Sequence, residues 1–197
     1  MSTNNKIIGI TGGIGSGKSV VAKVLISMGY PVYNSDIEAK ELINSNTELI
    51  NQIKKEFGED IYSSEGLDRK KMASVVFSNT NKLAKLNSLV HPAVGKNFDN
   101  WVNKQKTKLV FKEAAILFEI GIYKSLDATI LVTAPIEKRI SRVMQRDSVK
   151  AEEVENRMKN QWNDEEKIKL ADFVIDNSGE VMVIPQVKET LTNLQIL

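Results

Sequence analysis

Residues 12–19 read Gly12-Gly13-Ile14-Gly15-Ser16-Gly17-Lys18-Ser19 and satisfy G-x-x-x-x-G-K-[ST] at every fixed position. This pattern constrains the fold tightly, because such a loop works only between a strand that delivers it and a helix that receives it. Its glycines let backbone N–H groups turn inward and ring the phosphates of a nucleotide, a concavity that side chains would fill. Lys18 then reaches the β- and γ-phosphates, and the hydroxyl of Ser19 helps to hold Mg²⁺. The flanks agree: Lys6 to Thr11 is a short apolar run fit for a buried strand, and Val20 to Met28 carries helical apolar spacing. The helix N-terminus adds its partial positive charge to the site. A glycine-rich turn with an incidental lysine is the alternative, and it explains neither flank.

The 197 residues suffice for one domain that buries about 70% of its unfolded surface. Lys+Arg 27 against Asp+Glu 25 leaves a net charge of +2, so no global field points to nucleic acid or membrane. With no cysteine, disulfides and thiolate zinc sites are excluded, and a reducing compartment suits the chain. The N-terminus lacks a signal-peptide apolar region, and no apolar run approaches the ~18 residues of a membrane span. The expected location is the cytoplasm.

Gly29 stops the first helix, and Pro31-Val32-Tyr33 begins a second short strand ending near Asn34. Ser35 is placed to cap a helix running through Ile37, Ala39, Leu42 and Ile43. A mostly helical stretch follows from Thr47 to about Lys106, in which Gly58 and Gly66 bracket turns and Asp68 reads as an N-cap. His91-Pro92 is expected to break one helix and start another. Strand signals return at Leu109 to Phe111, Ala128 to Val132 and Phe173 to Ile175. Helices are expected over Pro135 to Arg146, Lys150 to Gln161, Asp164 to Ala171 and Val181 to Leu194. Apolar strands alternating with helices imply an α/β fold, a mostly parallel sheet covered on both faces. Ligands of such sheets sit beyond the carboxyl ends of the strands.

That rule singles out a few side chains. Asp36 follows the second strand and can orient an alcohol nucleophile and accept its proton, or it can simply favour a helix start. Glu113 and Glu119 flank the segment after the third strand; a carboxylate there can reach Mg²⁺ through water, while Glu119 can equally cap a helix or pair with a base. Arg139, Arg142 and Arg146 share one helical face and Arg157 follows, which suits either a phosphoryl clamp or a solvated stripe. Asp176-Asn177-Ser178-Gly179 matches D-x-x-G but comes late, and no N-K-x-D occurs, against a guanine-nucleotide switch. His91, the single histidine, reads as a helix-end residue or a substrate contact. Trp101 and Trp162 read as packing residues.

Taken together, Thr11 to Ser19, Asp36, Leu89-Val90-His91-Pro92, Ile116-Leu117-Phe118-Glu119, Arg142 to Asp147, Arg157 with Gln161, and Ala171 to Gly179 resemble the dephospho-coenzyme A kinases along nearly the whole chain. The resemblance implies a single P-loop kinase domain over residues 1–197, with a helical substrate subdomain at about 35–107 and a mobile lid at about 139–165. It implies transfer of the ATP γ-phosphoryl group to the ribose 3′-hydroxyl of dephospho-coenzyme A. Asp36 would be the base, and Lys18, Arg142 and Arg146 would act on the phosphates. Gly12, Gly13, Ile14, Gly15, Ser16, Gly17, Lys18, Ser19 and Val20 would hold ATP, with Asn177 and Gly179 as the adenine-side wall, Ser19 on Mg²⁺, and Lys40, His91 and Glu119 beside the substrate.

Four departures stand out. Asn34 replaces the first carboxylate of a usual D-A-D, and Val20 replaces a threonine. Ala115 stands for a proline, and Lys40 for an arginine, so the bidentate fork is lost there. A kinase for another small metabolite shares loop and lid, and a nucleotide-dependent binding module shares the loop alone.

Overall fold

The computed structural model describes residues 5–77 and 79–196. In chain order its elements are β1 (Lys6–Thr11), α1 (Lys18–Ser27), β2 (Val32–Asn34), α2 (Ser35–Ser45), α3 (Thr47–Phe57), β3 (Tyr62–Ser63), β4 (Gly66–Leu67), α4 (Arg69–Phe77) and α5 (Thr80–Val102). There follow β5 (Leu109–Glu113), β6 (Ala128–Thr133), α6 (Ile136–Asp147), α7 (Ala151–Met158), α8 (Asp164–Ile168), β7 (Phe173–Asp176) and α9 (Val183–Ile196). The chain folds as two units, one made of the stretch up to Asn34 together with Gln105 onward, the other of Ser35–Lys104.

The first unit is built on a five-stranded sheet in the order β2-β5-β1-β6-β7, with every pairing parallel. Side chains alternate across such a sheet, so Ile8 and Ile10 of β1 share a face with Phe111, Ile130, Val132 and Ile175. Helices α1 and α9 cover that face with Val21, Leu25, Val187, Leu191 and Leu194. The opposite face holds Leu131 against Ala114, Leu117 and Phe118. Because all strands run one way, Thr11, Asn34, Glu113, Thr133 and Asp176 end on the same edge. Strand β5 runs on through Lys112 to Glu113, beyond the apolar run visible in sequence, because both residues are buried between neighbouring strands.

The second unit is helical around Leu42, Leu49, Ile53, Ile61, Met72, Val90, Val94 and Phe98. Asn46 accepts from Leu49 N at 3.0 Å and Asp68 from Lys71 N at 2.9 Å, so both act as helix caps. The expected break at His91-Pro92 does not occur: α5 is continuous through Pro92. Proline removes one hydrogen bond to the Ser88 carbonyl. Burial of Val90, Val94 and Phe98 at fourfold spacing keeps the helix running. Between Gly58 and Gly66 lies a two-stranded antiparallel hairpin, β3 with β4, too short to show as a pattern. Helix α8 is shorter than expected, ending at Ile168. Among the described residues no helix is long and apolar enough to cross a membrane.

One ion pair ties α8 to the segment after β5. The Lys167 ammonium is fully buried and lies 2.8 Å from Glu119 Oε1, close but out of line for a hydrogen bond. Lys167→Met is therefore expected to lower stability by about 3 kcal/mol in urea unfolding, since it strands a buried carboxylate. Adding Glu119→Leu should recover part of that loss, and strict additivity of the two changes would contradict the pairing.

Candidate active site

In a trans peptide the carbonyl and the following N–H point opposite ways, so a loop whose N–H groups face a ligand must send its carbonyls outward. Between β1 and α1 every carbonyl from Gly12 to Gly17 accepts a bond from the protein. Lys18 Nζ donates to Gly12 O at 2.8 Å, and Ser16 N to Gly13 O at 3.1 Å. Arg139 Nε donates to Ile14 O at 3.0 Å, and the Arg142 guanidinium to Gly15 O at 3.4 Å. Asn177 Nδ2 donates to Ser16 O at 2.8 Å, and Val20 N to Gly17 O at 2.9 Å. The N–H groups of Gly15, Gly17 and Lys18 are thereby turned the other way, at the start of α1. All four glycines of the loop are required sterically, and at Gly12 and Gly15 a Cβ would strike the backbone carbonyl oxygens of Val132 and Arg139. Gly17 has φ +94°, and a Cβ there would strike Asn177; a Cβ on Gly13 would strike the Arg139 guanidinium.

Three of the residues expected from sequence come together with the loop in this way: Lys18, Arg142 and Asn177. Arg142 spans two segments, since its other amino group donates to Asn177 O at 2.8 Å. The turn after β7 is braced by Asp176, which accepts from Ser178 N at 2.7 Å and Ser178 Oγ at 2.9 Å, and by Lys138 Nζ on Ser178 O at 2.6 Å. Gly179 is exposed just beyond, with φ +90°. Val20 N is held by Gly17 O, and Ile14 N by Gln161 Oε1 at 2.8 Å, so both N–H groups are engaged inside the protein. Ser19 is exposed in the first turn of α1.

The arginine stripe divides. Arg139 is buried at 5% exposure and paired with Asp164, whereas Arg146 is exposed. Arg146 donates to Asp147 at 2.7 and 3.1 Å, and Arg157 donates to the same carboxylate at 2.8 Å. Glu119 accepts from Trp162 N at 3.1 Å and pairs with Lys167, with a side chain 11% exposed. That geometry makes it an internal anchor of α8 and corrects the expectation that it faces substrate.

Asp36, Lys40 and His91 belong to the 35–104 unit. Asp36 and Lys40 are exposed four residues apart on α2, hence on one face. His91 lies within α5, where partial burial lowers its pKa and favours the neutral ring. Sequence reasoning missed Arg139 as a loop contact and gave Asp164 no role. Its signal was available only as the 3–4 spacing of the stripe, which does not say which arginine turns inward.

Among the described residues no three carboxylates or imidazoles cluster as a metal cage. The oxygen donors at the strand edge nevertheless suit Mg²⁺, which keeps several waters and takes few protein ligands. Glu113 at the end of β5 is 7% exposed and accepts from Asn34 Nδ2 at 2.8 Å.

The paired guanidiniums, Arg146 first and Arg157 second, lower the Asp147 pKa from 3.8 to about 2. A depressed carboxylate pKa means the pairing is fully present above about pH 4 and fades as pH falls toward 2. The Asp147 carboxyl carbon followed by NMR should titrate near 2; a midpoint near 4 would contradict the pairing.

The family model for dephospho-CoA kinase matches residues 6–182 of the chain. A dephospho-CoA kinase from Bacteroides fragilis is 38% identical over 188 residues, covering 95% of this chain and 92% of the relative. A crystal structure of a Thermus thermophilus protein superposes with a TM-score of 0.85 at 38% identity, covering 98% of this chain and 97% of that one. The dephospho-CoA kinase of Campylobacter jejuni superposes with a TM-score of 0.66 at 26% identity, covering 96% and 95%. The P-loop kinase fold and the likeness along nearly the whole length agree, and the chain belongs to the dephospho-CoA kinase family, which phosphorylates dephospho-CoA with ATP in the last step of coenzyme A biosynthesis.

Proposed function

We propose that this chain transfers the ATP γ-phosphoryl group to the ribose 3′-hydroxyl of dephospho-CoA, with Asp36 accepting the hydroxyl proton as the oxygen attacks phosphorus and ADP leaves. The observation that carries the reading is the tethering of the Ile14, Ser16 and Gly17 carbonyls, which aims the N–H groups of Gly15, Gly17 and Lys18 where a triphosphate would sit. Such fixed dipoles stabilise charge that grows in the transition state without having to reorganise.

The residues divide the work as follows. The N–H groups of Gly15, Gly17, Lys18 and Ser19 grip phosphate oxygens, and Lys18 moves from the Gly12 carbonyl to the β- and γ-phosphates. The Ser19 hydroxyl and Glu113 would hold Mg²⁺, which would supply neutralisation of phosphate charge. Asn177 and Gly179 wall the adenine side. Residues 139–165 act as a lid that brings Arg142 and Arg146 onto the transferring group and excludes water. The helical 35–104 unit binds the acceptor, with Asp36, Lys40 and His91 facing it. Asn34 takes no proton; as donor to Glu113 it holds the magnesium-side carboxylate in place. The absence of cysteine and the use of ATP suit work in the cytoplasm.

Asp36→Asn should lower kcat by at least about a hundredfold, the usual weight of a general base, while ATP affinity stays within about threefold. Turnover near that of the parent would remove Asp36 from the mechanism. A panel of acceptors offered with ATP and magnesium separates this reading from a kinase for another metabolite. Only an adenosine bearing a free 3′-hydroxyl and the pantetheine arm should be consumed efficiently, giving coenzyme A by mass. Equal use of nucleoside monophosphates would contradict it.

A further inference from the structure

We infer that Gln161, together with Asp164 acting through Arg139, positions the phosphate loop for phosphoryl transfer by fixing the two peptide planes that meet at Ile14. The first plane carries the Ile14 N–H, which donates to Gln161 Oε1 at 2.8 Å. The second carries the Ile14 carbonyl, which accepts from Arg139 Nε at 3.0 Å. Holding both planes sets φ and ψ of Ile14, and because the peptide is trans, an outward Ile14 carbonyl sends the Gly15 N–H inward. Gly15 N–H is thus offered to a phosphate, and Ile14 contributes by its carbonyl rather than its N–H.

Both holders are themselves held. Gln161 Nε2 donates to Ala115 O at 3.4 Å, just beyond β5. With an N–H on one side and a carbonyl on the other, only one orientation of the Gln161 amide satisfies both. Arg139 is 5% exposed, and the same guanidinium that meets Ile14 through Nε donates from Nη1 to both oxygens of Asp164 at 3.1 Å, a charge-assisted pairing that fixes the plane of the group. Gln161 lies in the stretch that joins α7 to α8, and Asp164, three residues on, is the first residue of α8. Glu119 fixes the middle of that stretch by accepting from Trp162 N at 3.1 Å. One short segment at the base of the 139–165 region therefore sets the geometry of a loop more than 120 residues earlier in the chain.

This rests on the loop being the ATP phosphate site. The test compares full-length Gln161→Met, which keeps length but loses both hydrogen bonds, with Gln161→Glu, which keeps an acceptor facing Ile14. Melting temperature, amide exchange at Ile14, kcat and the KM for ATP are measured for each. Gln161→Met should speed Ile14 exchange and lower kcat per folded molecule about tenfold, the scale of one lost hydrogen bond, with a smaller change in KM. Gln161→Glu should keep Ile14 protected and regain most of kcat, with KM raised by charge repulsion. An unchanged kcat in Gln161→Met, or a loss that only tracks the fraction unfolded, overturns the assignment. A parent protein that transfers no phosphate would instead overturn the kinase reading, and Ile14 exchange, which needs no turnover, would still decide the hydrogen bond.

Discussion

A buried peptide that turns its N–H toward a phosphate must find a donor for the carbonyl it turns away. The glycine loop finds a donor for every carbonyl from Gly12 to Gly17, which leaves the N–H groups of Gly15, Gly17 and Lys18 turned to the site, and most of the structure around it follows from the solution. Three of the donors come from far along the chain: Arg139 and Arg142, 125 and 127 residues beyond their partners, and Asn177, 161 residues beyond. Two are guanidiniums, whose hydrogen bonds to neutral carbonyls are stronger than neutral pairs. A loop rich in glycine loses much conformational freedom on ordering. These ties hold it in one conformation.

The parallel sheet is what lets distant segments meet there. With all five strands running one way, the loop after β1, the carboxylate ending β5 and the turn after β7 share one edge. Helix α6 follows β6 and delivers its arginines to the same edge. Its inner arginine is buried and paired, and its outer one is exposed beside Asp147. That graded burial separates an arginine fixed beneath the loop from one held at the surface by a neighbouring carboxylate.

The glycine motif, the apolar runs of β1, β6 and β7 and the boundaries of α1 and α6 were legible because each rests on local chemistry: backbone freedom, β-branched residues, helical spacing. Asp68 was legible as a cap for the same reason. The passage of α5 through Pro92 was not, since the local penalty is outweighed by the packing of Val90, Val94 and Phe98. The hairpin at Tyr62 to Leu67 was hidden by two-residue strands. Glu119 was legible as a carboxylate able to pair with a base, but not with which one, because Lys167 is 48 positions away and looks in sequence like a surface lysine.

By itself the sequence determined the ligand chemistry, the strand–loop–helix unit that presents it and the family to which the chain belongs, since the first two are written in contiguous residues and the third in short local motifs in a fixed order. Only the tertiary structure decided which arginine of the α6 stripe turns inward, which N–H groups of the loop remain for a phosphate and which glutamate is buried. Those choices depend on donors and acceptors brought together across more than a hundred residues, and hydrogen bonds of that span leave no periodic trace in the chain.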